Sequence, residues 1–474
     1  MDYQEAIAYI TELQERKGSE YSLEPMQRLC TMAGRPDRAL STVHIAGTNG
    51  KGSIGTYLSH ILARAGYTVG RYVSPALLEY RERIQRVWYE PEETVADSDD
   101  VEQGKPSDNG VKTRYVSERE VAENITRLQN LVEQMAEQGL QTPTAFEMET
   151  VMAFLVMKQW QVDVAVIECG MGGRTDATNI IESPILCLFA HIGRDHTCFL
   201  GDTIAEIAAE KYGILKSGTS VVSVKQDIIA EALLQEKCKE LALPLVMAEP
   251  EMITDIHYDM DVTSFRYRGS VLEIGQAGTF QIENATAAVE AAHVLRKQGY
   301  TNITETAIRD ALRWSRWQGR FERVSKTPYV IVDGAHNPQA ATELRRSLEV
   351  YFPGECFTFV CGVFRDKEYI QIMDILLPLA ARIYTVTPPG ERGLPAEELV
   401  ENVKTCITRG TNPALGQPQE SSSKMPEGLP EQGKTVRACT SVAEALERVA
   451  QERERTIVFG SLSFLHEVYE YFAL

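Results

Sequence analysis

The chain contains no CxxC pair, no apolar stretch approaching the roughly 18 residues of a membrane-spanning helix, and no surplus of basic residues. Each absence removes a class of protein. Nine scattered cysteines, an odd number, do not form a disulfide framework and fit a reducing compartment. The N-terminus, MDYQEAIAYITELQERKG, is charged and amphipathic and lacks the apolar core of a secretory signal. A soluble, cytoplasmic, monomeric protein without a membrane partner is expected. Lys and Arg total 48 against 67 Asp and Glu, a net charge of −19 that opposes nonspecific binding of a phosphate backbone, so nucleic acid is not expected as a partner. A local pocket can still hold a small anion against that field. With 474 residues, 43% of them hydrophobic, the chain has material for two globular domains.

Two stretches lack core-forming residues: an acidic insertion over 91–113, which carries no aromatic residue, and a Pro-, Gly- and Ser-rich one over 409–434. Both read as surface insertions. Elsewhere short β-branched runs alternate with helical patterns. Strands are expected at 41–46, 162–168 and 184–190, and helices at 53–65 and 147–160. A second alternation starts at Tyr329, with strands at 329–332, 356–363, 382–387 and 456–459. Its helices are expected to start at Pro338 and to cover 366–380, 396–405 and 442–451. The fold class is therefore α/β. A P-loop-containing N-terminal domain (1–316) with a mostly parallel sheet is followed by a linker (317–327). A smaller Rossmann-like α/β C-terminal domain (328–474) completes the chain. Ligands are expected at the carboxyl ends of strands, between the two domains.

The most informative segment runs from an apolar strand into Gly47, Thr48, Asn49, Gly50, Lys51, Gly52 and Ser53. Glycines let backbone N–H groups turn onto an anion, and the following helix adds its dipole. Lys51 suits the β and γ phosphates, and the Ser53 hydroxyl suits Mg²⁺. The spacing departs from the standard phosphate loop, since two residues rather than four separate Gly47 from Gly50. A plain strand-to-helix turn is the alternative. The block Gly170–Asn179 is also glycine-rich but lacks the GxGxxG spacing of a dinucleotide site.

GTNGKGS is one of an ordered set of motifs. Ser74-Pro75, Glu82-Arg83-Ile84 and Thr144-Ala145-Phe146-Glu147 follow it. Ile167-Glu168-Cys169-Gly170-Met171-Gly172-Gly173-Arg174, Asp195-His196-Thr197 and Glu210-Lys211 come next. The later part holds Trp317-Gln318-Gly319-Arg320-Phe321-Glu322, Asp333-Gly334-Ala335-His336-Asn337-Pro338 and Gly460-Ser461-Leu462. Across nearly the whole chain this order resembles the folylpolyglutamate synthases. These belong to the superfamily of ATP-dependent amide ligases that includes the peptidoglycan-precursor (Mur) ligases.

The resemblance implies a reaction and a set of roles. ATP phosphorylates the γ-carboxylate of a folate-linked glutamate, and the amine of L-glutamate attacks the acyl phosphate. Dihydropteroate is a second acceptor in some relatives. ATP and Mg²⁺ are the implied cofactors, and reduced folate or dihydropteroate and L-glutamate the implied substrates. Ser74, Glu147 and His196 correspond to metal ligands. Lys211 corresponds to a lysine converted to a carbamate. Asn284, Arg320 and Asp333 correspond to nucleotide contacts, and His336 to a histidine near the phosphates. Read without the family, Glu147 is a charged helix face, His196 a loop histidine, Lys211 a surface lysine and His336 a helix-capping group. After Ser74-Pro75 the family has His-Leu where this chain has Ala76-Leu77, a difference bearing on the acceptor pocket. Two rivals remain at this level: a Mur-type ligase with another acceptor, and a nucleotide-binding regulator without turnover.

Overall fold

A computed structural model describes residues 1–15, 22–91, 110–409, 434–451 and 454–474. Most of both insertions lies outside the described residues. The ends of the first are structured, however: residues 111–113, expected to belong to the insertion, open a strand at Val111–Tyr115.

The described residues form two compact units. The first comprises 1–254, 266–273 and 283–315; the second comprises 255–265, 274–282 and 316–474. The division near residue 315 falls where helical periodicity lapses. The inclusion of 255–265 and 274–282 in the second unit has no counterpart in the sequence reading. Nor is 317–327 a bare connection, because Glu322–Lys326 forms a strand.

The first unit is built on an eight-stranded sheet. Its strands are β1 (Thr42–Ala46), β2 (Val69–Tyr72), β3 (Ile84–Tyr89), β4 (Val111–Tyr115), β5 (Val164–Glu168), β6 (Leu186–Phe189), β7 (Ser220–Val224) and β8 (Leu245–Ala248). Their order is β4-β3-β2-β5-β1-β6-β7-β8. From β2 to β8 the pairs are parallel, and β3 and β4 add an antiparallel edge. Continuous apolar runs become central strands because helices cover both faces: β1 and β5 are buried at every position. The helix Ala145–Gln159 is buried on nearly all sides, and side chains such as Phe154 and Val151 each contribute about 2 kcal/mol by leaving water. A three-stranded sheet follows, β9 (Ile253–His257), β10 (Thr263–Tyr267) and β11 (Ser270–Ile274), in the order β11-β10-β9.

The second unit carries six strands: β12 (Glu322–Lys326), β13 (Tyr329–Val332), β14 (Phe357–Cys361), β15 (Ala380–Thr385), β16 (Thr435–Ala438) and β17 (Thr456–Phe459). They run β12-β13-β17-β14-β15-β16, parallel except for the β12–β13 pair. Helices Pro338–Tyr351, Tyr369–Leu376 and Ala396–Arg409 bury Leu344, Ile372 and Leu399 in its core. The first begins at Pro338, as the sequence suggests; Pro there forfeits only an N–H that the first turn leaves unused. The second is shorter than the expected 366–380, since Glu368 precedes it and a 3₁₀ turn at Leu377–Leu379 ends it.

Candidate active site

In the first unit the order β2-β5-β1-β6 places four parallel strands side by side, so the loops after them gather at one carboxyl edge. Ser74 follows β2, Glu168 ends β5, Gly47–Gly50 follows β1, and His191–His196 follows β6. The helix Ala145–Gln159 precedes β5 and runs against it, which brings its N-terminus and Glu147 to the same edge.

The turn after β1 is as tight as its glycines suggest. Gly47 has φ +152°, and a Cβ there would sit 2.7 Å from the Ala190 methyl. Gly50 is left-handed at φ +96°, and a Cβ on it would lie 2.5 Å from Asn284 Oδ1. Buried Asn284 is thus packed against the turn. The loop after β6 supports the other side: the Thr48 and Asn49 N–H groups donate to the His191 carbonyl (2.8 and 3.1 Å), and the Thr48 hydroxyl meets Gly193 O and N (3.0 Å each). Gly50 then starts the helix Lys51–Arg64 with no side-chain cap, and Ser53 is buried in its first turn. Lys51 Nζ donates to Gly47 O (3.2 Å) and Thr48 O (3.3 Å) and stands 3.7 Å from Glu168 Oε1, a largely buried pair. In the sequence Glu168 is part of a motif without a role of its own; only the adjacency of β5 to β1 brings it under Lys51.

Lys211 ends the helix Ile204–Lys211 and is buried, not on the surface. Its Nζ donates to Gly47 O at 3.0 Å, so two lysines share one carbonyl. Burial and then the charge of Lys51 push its ammonium down to about 7, against an opposing pull from Cys169, Asp195 and Asp176. The block Gly170–Arg174 holds this helix end. Gly173 packs where a Cβ would be 2.7 Å from the carbonyls of Glu210 and Lys211, and Arg174 N donates to Glu210 O at 2.8 Å. Asp176 braces the block through Met171 N (2.9 Å), Thr178 N and the Thr178 hydroxyl. The glycines there serve close packing rather than a dinucleotide.

The three metal-ligand candidates differ. Ser74 Oγ is buried with no hydrogen-bond partner, an oxygen lacking the compensation burial demands. Glu147 is buried at the third position of its helix, where Oε2 accepts from Thr144 N (2.6 Å) and Oγ1 (2.9 Å) in a capping box. Burial raises its carboxyl pKa against those donors. Tyr72 and Phe146 stack at 6.0 Å, joining the end of β2 to the start of the Glu147 helix. His196 is exposed, at φ +52°, immediately before the short helix Thr197–Leu200 and three residues beyond the Gly193 contact with Thr48. Among the described residues no three His, Cys, Asp or Glu side chains converge as a self-sufficient metal cage. The hydroxyl and carboxylate nonetheless fit a hard cation that takes its remaining oxygens from water and phosphate.

In the second unit the antiparallel β12–β13 pair brings two motifs together. Asp333 is buried; Oδ2 accepts from Phe321 N and Oδ1 from Ala335 N, both at 2.8 Å. Burial pushes its carboxyl up to about 6 despite nearby Arg320, these N–H donors and His336. The Arg320 guanidinium lies over Gly334, where a Cβ would be 2.5 Å from Nη1. His336 Nδ1 is 2.7 Å from Gly334 O. A carbonyl only accepts, so Nδ1 carries the proton and a neutral ring keeps its lone pair on Nε2. Capping of the following helix falls to Asn337, whose Oδ1 accepts Ala340 N at 2.9 Å.

The chain belongs to the Mur ligase family: residues 116–292 match the Mur ligase middle domain and 319–462 the Mur ligase glutamate ligase domain. Among its relatives, the folylpolyglutamate synthase of Lacticaseibacillus casei is 32% identical over 83% of this chain and 88% of its own. The dihydrofolate synthase/folylpolyglutamate synthase of Bacillus subtilis is 29% identical over 81% and 85%. A solved folylpolyglutamate synthase complex with AMPPCP and folate superposes with a TM-score of 0.78 at 25% identity, covering 99% of both chains. No described helix is long and apolar enough to cross a membrane.

Proposed function

We infer that this protein is an ATP-dependent amide ligase that adds L-glutamate to the γ-carboxylate of a folate-linked glutamate, releasing ADP and phosphate. The observation that carries the reading is the convergence of Lys51 and buried Lys211 on the Gly47 carbonyl, in a turn whose following helix has no side-chain cap. Such a turn offers backbone N–H groups, a helix dipole and one mobile cation to a triphosphate. A carboxylate is a poor electrophile with hydroxide as its leaving group; phosphorylation supplies a good leaving group. The Lys51 ammonium leaves Glu168 for the phosphates, and Gly47–Ser53 orient them. Asn284, against Gly50, meets the adenine side of the nucleotide. Arg320 and Asp333 meet the nucleotide, and His336 its phosphates. Ser74, Glu147 and His196 would hold Mg²⁺, which when bound offsets phosphate charge. Lys211 is poised for carbamate formation: a pKa near 7 leaves a large neutral fraction whose lone pair attacks CO₂, releasing a proton. The protein acts as a monomer in the cytoplasm, a compartment that its nine free thiols support.

Dihydropteroate is a second acceptor in this reading, favoured by the double name of the B. subtilis relative. The test is purified protein with ATP, Mg²⁺, labelled glutamate and either a reduced folate or dihydropteroate. Label is expected in the folate product; transfer to neither acceptor refutes the assignment.

A further inference from the structure

The turn that carries Arg320 is held by side chains from distant parts of the second unit. Trp317 N donates to Gln276 Oε1 at 2.6 Å, and Gln276 Nε2 donates to the Arg320 carbonyl at 2.6 Å. Gly319 N donates to Glu322 Oε2 at 2.9 Å and to the Tyr469 hydroxyl at 2.7 Å, and that hydroxyl donates onward to Glu322 Oε2. Phe321 N is taken by Asp333, as described above. The main chain at 317, 319, 320 and 321 is therefore fixed on both sides of Arg320.

This restraint acts on a strained backbone. Phe321 is fully buried at φ +44°, a left-handed conformation that a bulky L-residue resists. Such a residue persists only where its surroundings over-determine it, and these places cluster at ligand-handling sites. The Arg320 side chain itself is only half-buried. The hydrogen bonds are thus spent on its backbone, leaving the guanidinium available at the end of a rigid stem. Tyr469 comes from the last helix, Leu465–Tyr471, and Gln276 from the segment before the helix Phe280–Lys297. Neither belongs to a motif picked out in the sequence.

We propose that Tyr469 and Gln276 are positioning residues for the ligase reaction, clamping the main chain around Arg320 so that its guanidinium meets the nucleotide in one geometry. The inference rests on the assignment of Arg320 as a nucleotide contact. Tyr469→Phe keeps the buried ring and removes only the hydroxyl; Gln276→Leu removes the other clamp. Each is made in the native chain and in an Arg320→Ala background, and kcat/KM for ATP is read from ADP release, with thermal melting as the check on folding. Each clamp variant is expected to lose about tenfold in the native chain, as misplacement by a fraction of an ångström does. It is expected to change by less than about twofold where Arg320 is absent. Equal losses in both backgrounds, or no loss in the native chain, overturn the clamp. If Arg320→Ala itself leaves kcat/KM unchanged, the assignment of Arg320 fails instead. Should Tyr469→Phe prove unfolded, Gln276→Leu carries the same comparison.

Discussion

Each unit has a turn that joins a buried strand to a helix, and the two turns are built oppositely. After β1, Gly50 opens the helix without a side-chain cap and Lys51 is the first helical residue. After β13, Asp333 spends both oxygens on nearby backbone N–H groups, Asn337 caps the helix and Pro338 fills its first position. A helix start already served by its own side chains has little left for an anion; one that begins on glycine keeps its donors for a guest. On the function proposed above, the first turn is the receptor for the triphosphate, and the second a rigid mount for Arg320 and His336.

The largest effect that separates them is expected at Lys51. Lys51→Ala should lower turnover by about 10³-fold, the scale of losing one preorganised partner for transition-state charge. It also removes the positive charge beside largely buried Glu168, so the variant should melt earlier. Lys51→Ala with Glu168→Gln should recover the melting temperature but not the turnover. Recovery of both would remove Lys51 from the phosphate site.

Lys211→Ala should cost about 10²-fold, with partial rescue by short carboxylic acids if a carbamate is its working form. The native enzyme should lose kcat/KM as pH falls through about 7, where the Lys211 amine protonates. A profile flat from pH 6 to 8 under constant CO₂ would exclude a titrating Lys211. The same depressed pKa makes the Lys211 contribution to stability rise with pH between about 7 and the free-lysine value, since only the unfolded chain binds that proton there.

Glu147 tests whether one carboxylate does two jobs. Glu147→Gln keeps a capping box but loses the charge, so stability should move by less than about 1 kcal/mol while turnover falls at least tenfold and demands more Mg²⁺. Thr144→Ala should do the reverse, costing about 1 kcal/mol of stability with turnover nearly unchanged. The smallest effect belongs to the second turn: Asn337→Ala should cost about 1 kcal/mol in denaturant unfolding and leave nucleotide binding within about twofold.

Much of this was legible in the chain itself. β1, β5, β6, β13, β14 and β17 are continuous apolar runs, which only a sheet buried on both faces explains. The glycines of 47–53 stood out because a left-handed turn needs them. What was not legible depends on strand order. Glu168 lies 3.7 Å from Lys51 only because β5 inserts between β2 and β1. β12 was missed because its residues are mostly half-exposed, so no apolar run betrays it. Tyr469 and Gln276 act through hydrogen bonds to main-chain atoms, which leave no pattern in a sequence. Only the resemblance marks Lys211; without it the residue reads as an ordinary helix lysine, because the Gly170–Arg174 block that packs on its helix end is distant in sequence.

That block has one more consequence. A Cβ on Gly173 would sit 2.7 Å from the carbonyl oxygens of residues 210 and 211, and one on Gly213 would sit 2.6 and 2.5 Å from the α- and β-carbons of Arg174. Two bare α-carbons, each seated on the other's neighbours, set how far a single ammonium group reaches across the sheet edge. A methyl added to either would shift that reach by about its own width, because backbone cannot give way as a side chain would. An inherited change that silences this enzyme could therefore be as slight as glycine to alanine, and touch no charged or polar atom at all.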